Sequence, residues 1–429
     1  MSNLRTAEFT NENLRSYANA CMTLAWDIPQ YNFDTLLIPS RGAVPIFLGM
    51  TYALKYLGKE SKTHQDVLDR MAAPLTIKRG LIPNAKEGRK ITDKDIKILP
   101  YPLTADINMT KYESDASNDY YSRAIRESST KVIKSFFKEP YERIKDPYFR
   151  FFSEIINKIE KREQLALEYT TYPKINNLAM IDTVISGRAS TTILNAFGEQ
   201  GVYPQTFLVV DRKGEKVNKE FQYQLGYKKC DKDCEYFAYQ KKMGRTIKED
   251  INIDRRKIEF YDVNRIVTED TGCALQGVSA TLYPGIILEG NKKLFPHLSG
   301  VGAGTWHAVP RERNHRKILY HFLNTLKAAV NLQCADFCGE NIESLINKEE
   351  IFEKKRKTLV GMLETAELPQ INKENINSYY PEYSPENIAN LYESGAQVLH
   401  IIFAKEFTDN FINNFSDSLP QNKSENKDI

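Results

Sequence analysis

Cysteine is scarce in this sequence, and six residues in 429 are too few for a disulfide framework. No uninterrupted apolar run approaches the ~20 residues that a membrane-spanning helix needs, so no membrane association is expected. Neither sign of charge predominates: Lys and Arg total 59 against 56 Asp and Glu, a net charge of +3. Chain-wide attraction to nucleic acid or acidic lipid is therefore not implied, although a local basic patch stays open. The histidines at 64, 297, 307, 315, 321 and 400 show no HExxH or HxH spacing, which gives no support to a catalytic metal centre. There is no internal repeat, and the opening residues Met1 to Thr6 carry no secretory pattern. What is present suffices for sizeable cores, with 41% hydrophobic residues, 24 Tyr and 21 Phe. The expectation is a soluble, cytoplasmic protein of two to three domains.

Organisation is clearest near the N-terminus and around residue 200. Asn11 to Leu24 reads as a helix with Asn11 as its cap. Phe33 to Pro39 is a short apolar strand, followed by the polar turn Ser40-Arg41-Gly42 and a helix from Ala43 to Leu57. That order opens a parallel α/β unit. Between 59 and 173 the pattern loosens, with a strand at Ile96–Leu99 and charged helices expected at Asp119–Lys138 and Tyr148–Glu168. Asn177 to Asp182 is a buried strand ending in an acid; a helix follows over Ser190–Glu199, then the strand Thr206–Asp211. Two such strands around a helix make a βαβ unit. Later helices are expected at 311–332, where Ile318, Phe322, Leu326 and Val330 share a face, and within Ile342–Glu364 and Pro385–Phe415.

The segment Leu178 to Thr191 carries the most chemistry. An acid at the carboxyl end of a buried parallel strand stands where open α/β sheets bind ligands, and Asp182 can accept bonds from two sugar hydroxyls. The loop beyond it offers Ser186, the flexible Gly187, and Arg188, Ala189, Ser190 and Thr191 at a helix N-terminus. Free amides and the helix dipole favour a phosphate there. An acid for ribose beside a nest for its 5-phosphate is a ribose-phosphate reader. The alternative for Asp182 is an ordinary strand-end acid capping the next helix.

These residues resemble the phosphoribosyl-pyrophosphate motif of the type I phosphoribosyltransferase family. Asp182 matches its first acid, Thr183 stands in place of the second, Val184 and Ile185 match the apolar pair, and Ser186 to Ser190 match the loop. Leu36 to Ala43 is similar to the family's first strand and pyrophosphate loop, which implies diphosphate contacts from Ser40, Arg41 and the Gly42 backbone. The resemblance covers roughly residues 10 to 215. It implies an α/β fold whose parallel sheet forms a phosphoribosyltransferase-like core over 1–215, with a helical insertion at about 59–173. An α+β and helical C-terminal region over 216–415 and a disordered tail over 416–429 complete the plan. The implied ligand is phosphoribosyl pyrophosphate or a nucleotide, with Mg²⁺ accompanying the diphosphate. The implied activity is transfer of phosphoribosyl to or from a nitrogenous base, with Asp182 and Arg41 as catalytic residues. The alternative is a catalytically weak sensor or effector of an antiviral, anti-phage defence system, engaging a protein or nucleic-acid partner through its C-terminal half. An oligomer stays open.

Other features have blander explanations. The CxxxC pairs Cys230/Cys234 and Cys334/Cys338 read as unligated thiols, with structural zinc the lesser alternative. Tyr112–Ser122, followed by Arg123, Arg126 and Lys131, is a candidate lid by position alone. Trp306-His307 and the run Lys354–Lys357 read as a surface loop and a solvated helix face.

Overall fold

The structure is a computed structural model describing residues 6–39, 43–72, 92–100, 126, 130–147, 149–150, 172–212, 217, 219–227, 242–243, 252–267, 286–290, 293–295, 313–365 and 399–401. Helix α1 (Asn11–Asp27) is capped by Thr10, whose hydroxyl accepts the Asn13 N–H at 3.1 Å, one residue before the expected Asn11. Strand β1 (Thr35–Ile38) leads through Pro39 into α2 (Ala43–Leu57). Next come α3 (Lys62–Arg70), β2 (Met71–Ala72), β3 (Ile96–Pro100) and the short α4 (Pro140–Arg143). Strand β4 (Leu178–Val184), α5 (Arg188–Gly198), β5 (Gln205–Asp211), α6 (Lys219–Leu225) and β6 (Ile258–Val263) form two successive crossovers.

These six strands make one sheet in the order β2-β3-β1-β4-β5-β6, and every pairing is parallel. A parallel sheet covered on both faces needs apolar side chains on both, which is why β4 and β5 read as continuous apolar runs. Successive residues still divide between the faces. Leu36, Ile38, Ala179, Ile181, Phe207 and Val209 join the core beneath α1 and α2. Leu37, Met180, Val184, Leu208 and Val210 join the core beneath α5, with Ile193, Leu194 and Phe197.

Two long helices, α7 (Arg313–Phe337) and α8 (Ile342–Thr365), pair with each other, and α7 packs on α1 and α2. Ile318, Phe322, Leu326 and Val330 are buried there, along the stripe read from the sequence, and Phe352, Leu359 and Leu363 of α8 enter the same core. A boundary at 215 therefore cuts through one sheet and one core, because β6, α7 and α8 all lie beyond it. The stretch expected as an insertion is likewise part of the sheet, supplying β2 and β3. Residues 130–135 are helical, as expected within Asp119–Lys138. A separate antiparallel sheet joins β7 (Ile286–Gly290) to β8 (Lys293–Phe295) and β9 (Leu399–Ile401). Strand β9 falls inside the helix expected over Pro385–Phe415. No helix among the described residues is long and apolar enough to cross a membrane.

Candidate functional site

The sheet order fixes where a ligand crevice opens. Strand β1 lies between β3 and β4: after β1 the chain goes to the edge strand β2, steps back to β3, and then crosses to build β4, β5 and β6 on the other side. Helix α2, which follows β1, covers one face, and α5, which follows β4, covers the opposite face. At such a switch point the two connecting loops part at the carboxyl ends of the strands, leaving a crevice between them. The register pairs Leu37 with Met180, so two more residues bring Pro39 level with Asp182. Pro39, just past the end of β1, thus lies beside the last residues of β4, which lead into the loop from Ile185 to Gly187. Ser40, Arg41 and Gly42, expected on the diphosphate, lie outside the described residues.

Asp182 does not end its strand. Thr183 and Val184 continue β4, and Asp182 faces α5 with 2% of its surface exposed. Its Oδ1 accepts the Thr183 N–H at 2.8 Å, and its Oδ2 accepts the Ser190 hydroxyl at 2.8 Å. Ser190 is itself 1% exposed, and the buried Thr191 donates its hydroxyl to the Gly187 carbonyl at 2.7 Å. Two hydroxyls expected on a phosphate are therefore committed inside the protein in this conformation. Ser186, half-buried, accepts from the Arg188 N–H at 3.4 Å. Arg188 and Ala189 are partly exposed, and Thr183 is buried on the face of α1 and α2.

Gly187 is the N-cap of α5, with φ +86°, and no side chain bonds the first-turn amides from that position. The left-handed conformation favours glycine, and a Cβ built there would stand 2.9 Å from Cβ of Phe221 in α6. Glycine at this position thus permits the close approach of α6 and leaves Ser186, one residue earlier, to accept the first amide of α5. The dipole and the N–H groups of that terminus favour an anion.

A further acid on the same edge was visible as a strand-end residue but not as a partner. Asp211, 1% exposed, accepts the Ile266 N–H at 3.1 Å and lies 3.8 Å from Arg265, which also bonds Glu8 at 2.9 Å. This network ties the segment after β6 to the N-terminal segment, and only tertiary structure reveals it. Lys97 is a buried charge whose proton affinity is lowered by burial, partly offset by Asp34 at 3.9 Å. A lysine of that kind is a usual candidate for amine chemistry. Lys97 pairs with Thr35 at the amino edge of the sheet, away from the crevice, so it belongs to the packing.

Of the thiols, Cys334 is buried in the core shared with Cys21 and burial pushes it up to about 12, whereas Cys338 is exposed. Cys230 and Cys234 lie outside the described residues, as do Tyr112–Ser122, Arg123 and Trp306-His307. Arg126 is buried and Lys131 exposed. Arg356, within the basic run, bonds Glu353 at 2.9 Å and the Phe9 carbonyl at 3.0 Å, a helix-face role.

The main sheet and its helices define an α/β protein with an all-parallel six-stranded sheet. No family model, curated protein or solved structure matches the chain.

Proposed function

We propose that the crevice at the carboxyl ends of β1 and β4 binds a phosphorylated ribose, either phosphoribosyl pyrophosphate or a nucleotide. The observation that carries this reading is topological. Adjacent parallel strands send their helices to opposite faces, and each is followed by a short connection containing hydroxyl groups and glycine. The 5-phosphate is assigned to the first turn of α5, where Gly187 brings no capping side chain and the one side-chain acceptor, Ser186, holds the Arg188 N–H at a long 3.4 Å. The diphosphate of phosphoribosyl pyrophosphate is assigned to Ser40, Arg41 and Gly42, since a guanidinium gives charge-assisted bonds to phosphate oxygens. Mg²⁺ enters with that diphosphate as part of the substrate. Asp182, the single carboxylate of β4, has both oxygens in hydrogen bonds within the protein, so it does not fit as a direct metal ligand in this arrangement.

Transfer to a base would break the bond between the anomeric carbon and the diphosphate through an oxocarbenium-like transition state. The protein's contribution would be position and charge. A buried Asp182 and a neutral Thr183 favour binding over rapid turnover, because neither brings free negative charge to the developing cation. Calorimetric titration with phosphoribosyl pyrophosphate and nucleoside monophosphates tests the reading. Binding without diphosphate release, even with Mg²⁺ and a panel of bases, is the expected result. Fast release would make the protein an ordinary transferase, and no binding of any phosphoribosyl ligand would overturn the proposal.

A further inference from the structure

We infer that Asp182 is a positioning residue of this crevice and that the sugar is read by other groups; the inference rests on the phosphoribosyl-ligand reading above. Side-chain alternation along β4 puts Asp182 on the same face as Met180 and Val184, beneath α5. There its two oxygens join two different elements. Oδ1 holds the strand through the Thr183 N–H, and Oδ2 holds the helix through the hydroxyl of Ser190, the third residue of α5. Both side chains are almost fully enclosed, at 2% and 1% exposure.

The same turn is closed a second time by the bond from the Thr191 hydroxyl to the Gly187 carbonyl, also buried. Phe221 of α6 stands behind Gly187 and blocks movement of the turn in that direction. Strand, loop and first helical turn therefore form one braced unit. A sugar hydroxyl could reach Asp182 only by displacing Ser190, leaving a buried hydroxyl without its acceptor, which is costly. The brace instead fixes where the first-turn amides of α5 point, so an anion meets donors already in place and displaces only the long Ser186 bond to the Arg188 N–H.

Sugar reading and positioning predict different patterns across ligands. The probes are phosphoribosyl pyrophosphate, ribose 5-phosphate and inorganic phosphate, titrated against the full chain by calorimetry. Asp182→Asn keeps an acceptor for Thr183 and a hydrogen-bonding group for Ser190, so affinity for all three should stay within about threefold. Asp182→Ala and Ser190→Ala each break the brace and should weaken all three ligands alike, by about fivefold to tenfold. The double variant should be no worse than either single one, because both remove the same tie. Thermal midpoints and circular dichroism confirm that each variant is folded; if Asp182→Ala is not, Asp182→Asn and Ser190→Ala carry the comparison.

A direct sugar contact gives the opposite pattern. Asp182→Asn would then lose about tenfold to a hundredfold for both ribose ligands and nothing for inorganic phosphate, which overturns the positioning role alone. Wild-type protein that binds none of the three overturns the crevice reading and this assignment with it.

Discussion

Replacing Gly187 with alanine perturbs two quantities, and the structure contains a control that separates them. The first is conformational. Gly187 has φ +86°, and Gly201, in the turn before β5, has φ +70°. Holding an L-residue there costs about 1–2 kcal/mol. Stiffening the unfolded chain by a Gly→Ala change returns about 0.4–1 kcal/mol. A Cβ at Gly201 meets nothing within 4 Å, so Gly201→Ala should cost only the difference, about 1 kcal/mol. The second quantity is steric. A Cβ at Gly187 would lie 2.9 Å from Cβ of Phe221, an atom that cannot rotate away because the backbone of α6 fixes it. Overpacking of this kind adds about 1–3 kcal/mol, giving about 2–4 kcal/mol in all. Urea unfolding of the two variants, followed by circular dichroism, measures both. If Gly187→Ala is no more destabilising than Gly201→Ala, α6 is not braced against the turn, and the account of a rigid first turn in α5 is wrong.

Arg143 is fully buried, with its guanidinium bonding the carbonyls of Tyr172 and, at 3.1 Å, Phe136. Arg143→Met keeps most of the bulk but takes the guanidinium from the Tyr172 carbonyl, whereas the Phe136 carbonyl still accepts the Ile175 N–H at 2.8 Å, so denaturant unfolding should show a loss of about 1–3 kcal/mol; a near-neutral variant would mean that water replaces the guanidinium. Glu340 is held down from 4.5 to about 2, chiefly by Lys348 at 2.6 Å and then by the hydroxyls of Ser344 and Tyr56. A carboxylate with a lowered folded-state pKa stabilises above its unfolded value, and that contribution is lost as pH falls from 4.5 towards about 2. Thermal midpoints across that window should fall more steeply for the wild type than for Glu340→Gln, and more so at low ionic strength; parallel slopes would refute the coupling.

The parallel sheet was legible because burial on both faces writes strands as unbroken apolar runs, as in Leu36–Ile38 and Phe207–Val210. Helix α7 was legible because its buried residues recur at helical spacing. Strand β6 hid its membership of the same sheet. Ile258-Glu259-Phe260-Tyr261-Asp262-Val263 breaks its apolar residues with two acids, as an edge strand with one partner allows, and reads as a piece of another domain. Strand β2 has two residues, too few for any periodicity. At the candidate site, the order of strand, acid, hydroxyl and glycine marked a strand, a loop and a helix in the order that the structure has them. It did not reveal that Thr183 and Val184 extend the strand, nor that Ser190, eight positions on, occupies the acid. Such pairing depends on how a helix turns back over its own strand, which residue types alone do not specify.

The helices that cover the outer side of α1 and α2 are the last long ones in the described chain. Helix α8 clasps the first helix directly: Asn11 bonds Glu349 and Glu353 at 2.8 and 2.6 Å, and Arg15 pairs with Glu349 at 3.0 Å. During synthesis α1 leaves the ribosome about 300 residues before α8, roughly 15–60 s earlier at about 5–20 residues per second. Hydrophobic collapse is far faster than that. For the whole interval, Leu14, Tyr17, Cys21 and the apolar side of α2 have no permanent cover, which is the kind of surface that holdase chaperones bind. A message truncated before the codon for Arg313 therefore yields no smaller folded protein. It yields a sheet whose covering helices α1 and α2 have a bare apolar outer side, and its fate is aggregation or degradation.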